Sequence, residues 1–413
     1  MNKPELLAPA GSLEKLKAAI NFGADAVYLG GKKLSLRAYA DNFTGDEIKE
    51  GIKFAHFRGK KVYVTVNIFP HNEDLIGLED YLKELSDIGA DAILVSDPGI
   101  LSIAKETVPE LEIHLSTQAN CTNYKAALFW HNAGVKRVVM ARELSLKDFK
   151  ELRDKLPEAC EIEAFVHGAM CVSYSGRCLL SNYMTGRDAN RGECAQPCRY
   201  KYYLVEEKRP GQYYSVTEDS SGTYLMNSKD LCMIEHIPEL INSGIHSFKI
   251  EGRMKSPFYV ASVVKAYREA IDQYFEDPEN YTFDKKWMDY LVKPSHRPFT
   301  TGFYFGEEIK QHYKSSSYIR EYDIVGVVKN YYKEPGIAVV EQRNKVNSGD
   351  IVEILTVKGD NKIVKLLDMR NEEGEAIGSA PSAQMIFTFH CEEELKEGDM
   401  IIKSLIIDNA GLK

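Results

Sequence analysis

Along the first two-thirds of the chain, short apolar runs of strand character alternate with stretches whose apolar positions recur at helical spacing. The runs are Glu5–Ala10, Ala26–Gly31, Lys61–Asn67, Ala92–Asp97, Glu112–Gln118, Arg137–Arg142, Glu161–Gly168 and Ser247–Gly252. Between them lie helix-like stretches such as SLEKLKAAINFG, GLEDYLKELSDIGA and NYKAALFWHNAGV. Gly23, Gly89 and Gly134 close these three and suit left-handed helix C-caps. Ser12, Asn123 and Ser145 stand where N-caps are expected. Strand–helix alternation repeated eight times predicts a parallel sheet closed into a (β/α)₈ barrel over residues 1–280, with an open doubly wound sheet as the alternative. No GxGxxG follows the first strand, so the dinucleotide fingerprint is missing.

After Tyr281 the pattern changes. Residues 281–320 contain KPSHRPFTTGFYFG, rich in Pro, Gly and aromatics, and read as a linker wrapping the barrel. Residues 321–413 carry the short strand-like runs IVGVVKN, IAVVEQ, DIVEILT, MIFTFH and DMIIKS, with turns at NSGD, KGDN and KEGD. That spacing predicts a small β-barrel. Lys310, Lys314, Arg320, Lys329, Lys333, Arg343 and Lys345 make its entry comparatively basic, which suits either polymer binding or an ordinary solvated face.

The strand spacing breaks once, between residues 169 and 246. Four of the eight cysteines, Cys171, Cys178, Cys194 and Cys198, fall in that insertion, separated by six, fifteen and three residues. It follows the seventh strand, and loops at C-terminal strand ends build the active sites of such barrels. The polar residues ending the strands are then mouth candidates: Asn67, Asp97, Thr117, Gln118, Arg142, Glu143, His167, Glu251 and Arg253, together with Gly30. Each is also able to serve only as a helix cap or an ion-pair partner.

Composition narrows the chemistry. A chain of 413 residues, 44% hydrophobic, suggests two or three soluble domains. No apolar run is long enough for a membrane span, and MNKPELLAPAG lacks a secretory signal core, so a cytoplasmic location is expected. Disulfides are rare there, which favours a metal or redox role for the clustered thiols. Cys194–Cys198 fits a zinc-type pair, Cys171–Cys178 is looser, and iron–sulfur clusters tolerate such irregular spacing. Spacing leaves zinc, an iron–sulfur cluster and redox thiols all open. Cys121, Cys160, Cys232 and Cys391 are scattered and read as packed small hydrophobes. The net charge of −9 argues against a protein that coats nucleic acid, without excluding a local basic surface. HExxH and GxSxG are absent.

The segments ELLAPAGSLEKLKAAINFGADAVYLGG, LRAYADNF, EAFVHGAMCVSYSGRCLLSNY, RGECAQPCR, YLMNSKDL and HSFKIEGRMKSPFYV resemble the collagenase-like peptidase family U32 over nearly the whole chain. Within it, YSGRCLLS, CxxxCR and MNSKDL are most similar to the bacterial tRNA hydroxylation proteins. The resemblance implies an oxygen-independent hydroxylase that forms 5-hydroxyuridine at the tRNA wobble position, with prephenate as hydroxyl source. It also implies a [4Fe-4S] cluster on Cys171, Cys178, Cys194 and Cys198, with structural zinc as the alternative, and the tRNA anticodon loop as partner, and a paralogous family member is a further candidate partner. Other members of the family point to a peptidase, or to hydroxylases of ribosomal RNA or of a quinone precursor. The larger ribosomal-RNA enzymes exceed this length.

Prephenate is a dianion, and arginine grips carboxylates with two parallel hydrogen bonds. Arg142 and Arg253 at strand ends, Arg37 after strand two and Lys249 on strand eight are the candidate anchors. Glu143, Glu251 and Asp41 are possible ion-pair partners that would make the arginines structural instead. His167, ending strand seven, is a candidate general acid or base. Tyr174 and Tyr183 are candidates for base stacking or for loop packing, and Arg187, Arg191, Arg199 and Lys201 for phosphate contacts.

Overall fold

The computed structural model describes residues 2–36, 42–171, 173–199, 203–205, 208, 210–211, 213–215, 229–306 and 319–405. Eight parallel strands form the expected barrel: β1 (Glu5–Pro9), β2 (Ala26–Gly30), β3 (Lys61–Val66), β4 (Ala92–Val95), β5 (Glu112–Leu115), β6 (Arg137–Val139), β7 (Glu161–Ala169) and β8 (Ser247–Ile250). Strand β8 pairs in parallel with both β1, at Glu5↔Ser247, and β7, at Glu163↔Ser247, which closes the ring. The strands read as unbroken apolar runs because helices cover one face and barrel packing the other. Leu6, Leu7, Val27, Leu29, Val62, Val64, Ile93 and Val95 are all buried. Ser12, Asn123 and Ser145 cap their helices through side-chain oxygens, and Gly23, Gly89 and Gly134 carry the left-handed φ that ends a helix cleanly.

The barrel interior contains an ionic layer. Arg137 of β6 reaches Glu5 of β1 and Glu163 of β7, and donates through Nε to Glu161 at 2.8 Å. Lys249 of β8 donates to Glu163 at 2.7 Å. Glu163 is fully buried. Burial pushes its carboxyl up, but Lys249 and Arg137 outweigh that and hold it below the ordinary value.

The stretch after Tyr281, expected to be a linker, includes a helix, Lys285–Val292, whose Trp287, Tyr290 and Leu291 pack into the barrel-side core. Beyond it lies an antiparallel sheet of seven strands: β9 (Tyr322–Tyr332), β10 (Ile337–Gln342), β11 (Ile351–Leu355), β12 (Lys362–Lys365), β13 (Leu367–Arg370), β14 (Ile386–His390) and β15 (Met400–Ser404). Its order is β12-β11-β15-β9-β10-β14-β13. The two edge strands, β12 and β13, are consecutive in the chain with only Leu366 between them, so the sheet curls enough to bring the end of one edge strand to the start of the other. This module rests on helix Pro257–Glu276, where Lys265 donates to the carbonyls of Thr356 and Gly359, each at 2.7 Å. Leu355, Met400 and Ile402 complete the barrel-side core. Its basic residues are largely paired: Arg343 with Glu14 and Glu341, Lys329 with Glu341, Lys333 with Glu394 and Arg320 with Asp323. Lys310 and Lys314 lie outside the described residues. Through Lys265 and the shared core, the described part of the module braces the barrel. Among the described residues no helix is long and apolar enough to cross a membrane.

Candidate functional site at the barrel mouth

The insertion folds over the C-terminal ends of the strands. Its first part carries a short helix, Leu180–Thr185, and 3-10 turns at Ala189–Arg191 and Pro197–Arg199. Contacts to the barrel fix it there. Arg191 donates to Asp74 at 2.7 Å, and the Phe69 N–H donates to the carbonyl of Asn190 at 3.1 Å. The Ser175 N–H donates to Glu143 at 3.0 Å, and within the insertion Asn190 Nδ2 donates to the carbonyl of Cys178 at 3.1 Å. Gly176 has φ +72, and a Cβ there would meet the carbonyl oxygen of Gln118 at 2.1 Å. Only glycine lets the loop bearing Cys178 lie this close to the end of β5. Arg191 is therefore a tether and not the phosphate contact that its position suggested. Lys201 lies outside the described residues.

One cavity results. Cys171, Cys178, Cys194 and Cys198 all line it, opposite Asn67, Thr117, Gln118, Arg142, Glu143, Phe165, Lys249, Glu251 and Arg253. No described cysteine is in a disulfide. Burial pushes the Cys198 thiol up to about 11, with the neighbouring thiols at 171, 194 and 178 adding to it against Arg199. The Cys198 sulfur thus lies close enough to the other three to feel them. Among the described residues, no three His, Cys, Asp or Glu side chains close around one point tightly enough to hold a single metal ion. The scattered cysteines 121, 160, 232 and 391 are buried core residues, as expected.

Among the described residues three cations reach the cavity, each through a different support. Arg142 donates to the carbonyl of Ala169 at 2.7 Å and to Glu251 at 3.3 Å, and stacks 3.9 Å from the Phe165 ring centre. Its carboxylate neighbour is Glu251, while Glu143 serves Ser175. Arg253 is buried and donates to Ser35 at 3.1 Å, Thr65 at 3.3 Å and Asn42 at 2.8 Å. Gly30 admits this guanidinium, because a Cβ there would stand 2.4 Å from Nη2. Lys249 sits on the cavity floor, 4.4 Å from the Tyr28 ring centre, with its ammonium on Glu163. Arg37 and Asp41 lie outside the described residues. Tyr174 lines the cavity yet is 60% exposed, and Tyr183 is 89% exposed, so neither is used for packing. Asp97 only caps helix Pro98–Thr107.

His167 is a correction. It does not line the cavity; it is buried among Tyr259, Tyr267 and Phe299, with ring centres 5.6 to 5.9 Å away. The cause is a β-bulge. Lys249 pairs with Phe165 and Ile250 with His167, so Val166 is the extra residue. One extra residue reverses the faces of those that follow it. Glu163 and Phe165 point into the barrel, and His167 turns out towards helix Pro257–Glu276. Burial, helped by Lys255 and His296, pushes its imidazole down to about 3. A neutral imidazole at that depth does not exchange protons with a substrate near pH 7. It does set an acid liability. The folded value is below the unfolded one, so the unfolded chain takes the proton first and stability falls as pH drops below 6.5. By pH 5 the loss is about 2 kcal/mol. Urea midpoints compared at pH 7 and pH 5 should show a smaller drop for His167→Phe than for the wild type, and equal drops would contradict the assignment.

Phe165 and Tyr28, which wall the cavity, gave no sequence signal, since aromatics inside apolar strands look like any other core position.

The eight-stranded parallel barrel is thus roofed by an insertion that brings four thiols together with guanidinium and ammonium groups in one cavity at its mouth. Residues 11–314 match Peptidase family U32 and residues 320–401 match the Peptidase family U32 C-terminal domain. The chain belongs to peptidase family U32. It is 44% identical over 407 residues to tRNA hydroxylation protein P1 of Bacillus subtilis, covering 97% of this chain and 95% of that protein. It is 38% identical to tRNA hydroxylation protein P of Escherichia coli, covering 92% of each. A protein of Porphyromonas gingivalis named Collagenase is 32% identical, covering 98% of each.

Proposed function

We propose that this chain hydroxylates tRNA, forming 5-hydroxyuridine at the wobble position of the anticodon loop with prephenate as the hydroxyl source. The observation that carries the reading is the single cavity lined by four thiols and by Arg142, Lys249 and Arg253. The relatives named tRNA hydroxylation proteins support it over nearly the full length.

The donor set fits a [4Fe-4S] cluster held by Cys171, Cys178, Cys194 and Cys198. Four thiols lining one space are the ligand set that such a cluster takes. When bound, such a cluster supplies one-electron redox chemistry. The remaining tasks fall to side chains. Arg142 and Arg253 offer rigid forks for the two carboxylates, and Lys249 adds a third positive charge below them. Phe165 and Tyr28 give the ring an apolar wall. Glu251 fixes the Arg142 head. A flipped uracil meets the exposed face of Tyr174 at the rim. A paralogous family member is a natural second contributor in cells.

A cysteine-nucleophile peptidase would need a base beside its thiol. No histidine lines the cavity among the described residues, so the peptidase reading has no such partner for Cys171 or its neighbours.

The test is nucleoside mass spectrometry on tRNA from a strain lacking the protein, before and after incubation with the anaerobic holoprotein and prephenate. Prephenate-dependent appearance of 5-hydroxyuridine is expected. Arg253→Lys keeps the charge and loses the fork, and should raise the KM for prephenate about tenfold, a loss of about 1.4 kcal/mol. Hydroxylation that ignores prephenate, or no hydroxylation beside cleavage of a peptide, would overturn the reading.

A further inference from the structure

A second cavity adjoins the first and shares its Glu251 wall. Ala169, Gln196, Arg199, Gly252, Met254, Lys255, Ser256, Tyr259 and Ser295 complete it. Its character is cationic. Lys255 donates to the carbonyl of Ser295 at 3.0 Å and lies over the Tyr259 ring, 5.1 Å from its centre. Arg199 comes from the insertion, at the end of the turn Pro197–Arg199 that holds Cys198. Helix Pro257–Glu276 begins at the cavity, capped by Ser256, so the positive end of a 20-residue helix dipole points at it. Gln196 holds a left-handed backbone, φ +57, which is unusual for a side-chain-bearing residue and tends to occur at ligand-binding turns. Among the described acids nearby, Glu251 receives Arg142, and Asp230 accepts the Arg297 N–H at 3.1 Å. Burial brings the Lys255 ammonium down to about 8, with Asp230 holding it up and Arg199 and Arg297 pressing it down.

We propose that this notch between Lys255, Arg199 and the start of helix Pro257–Glu276 binds a phosphodiester of the RNA backbone next to the nucleotide whose base enters the four-thiol cavity. The proposal rests on the tRNA reading above. A base drawn into the first cavity leaves its flanking phosphates at the rim, and the notch is the cationic recess that opens beside that rim. Phosphate contacts of this kind fix register and add to affinity without reading sequence.

Met254 lines the notch and is 51% exposed, so a charge placed there alters the field without disturbing buried contacts. Fluorescence anisotropy of labelled tRNA against the full-length holoprotein, titrated across salt concentrations, reads the effect. Met254→Glu should weaken binding about tenfold at low salt, and Met254→Lys should tighten it. Lys255→Gln should lower the slope of log affinity against log salt by about 1. Unchanged tRNA affinity and salt slope in all three variants would overturn the notch while leaving the tRNA reading intact. Inorganic phosphate titrated alone separates the other source: if Met254→Glu weakens phosphate binding yet spares tRNA, the notch serves a free anion and the proposal fails. A wild-type holoprotein with no affinity for tRNA would sink the functional reading itself, and the notch with it.

Discussion

Replacing Cys194 with serine should abolish formation of the hydroxylated nucleoside while leaving the barrel folded. Cys194 is half-buried and lines the cavity. The insertion around it is tied down by other groups: Arg187 Nε donates to the carbonyl of Glu193 at 3.1 Å, and the Ala195 N–H donates to Ser181 at 3.0 Å. Serine fits the space but is a poor ligand for iron, which prefers thiolate. Cys160→Ser and Cys391→Ser serve as controls, because those sulfurs sit in the core far from the insertion in the fold and should cost stability rather than product. Mass spectrometry of tRNA nucleosides decides the matter. Wild-type product from Cys194→Ser would remove the thiols from the chemistry.

Glu163→Ala should be the most destabilising single change in the barrel. It would leave the buried Lys249 ammonium and the Arg137 guanidinium without the carboxylate that stands between them, 2.7 and 3.3 Å away. Removing one member of a buried ionic group costs about 3–5 kcal/mol, because the charges left behind are already stripped of water. Arg137 keeps Glu5 and Glu161, so the loss falls mainly on Lys249. The effect has a pH signature. The lowered Glu163 value means its stabilisation is in place above the ordinary carboxyl value of 4.5 and drains as pH falls through the folded value. Chemical denaturation of both chains at pH 7 should show the full difference, and the gap should narrow in acid. A variant as stable as the wild type at pH 7 would show that the ionic layer is incidental. Since Lys249 forms the cavity floor, the same variant should also weaken prephenate use.

How much of this is legible in the sequence depends on whether the determining contact is local. The eight strands are, since burial on both faces leaves continuous apolar runs, and caps such as Ser12 and Asn123 act within three residues. So is the placement of the four cysteines at the mouth, because an insertion after β7 has only the C-terminal face to occupy. Arg142 and Arg253 follow by the same logic. His167 does not. Its direction depends on a single bulged residue, Val166, and that bulge arises from pairing with β8, some eighty residues further on. The Arg191–Asp74 tether spans 117 positions, and nothing in the basic run around Arg187 and Arg191 distinguishes a tether from a phosphate contact. The helix Lys285–Val292 was hidden because only two turns long, and its neighbours in sequence are Pro, Gly and aromatic residues that favour loops. The notch at Lys255 is assembled from β7, the insertion, the start of a helix and Ser295, so no contiguous motif announces it.

The most direct test is the iron and acid-labile sulfide content of protein purified without oxygen, with its absorption near 400 nm. The account predicts about four irons and four sulfides per chain and a broad absorption band, all lost in Cys194→Ser. A colourless wild-type protein that carries zinc and no iron after the same handling would contradict it.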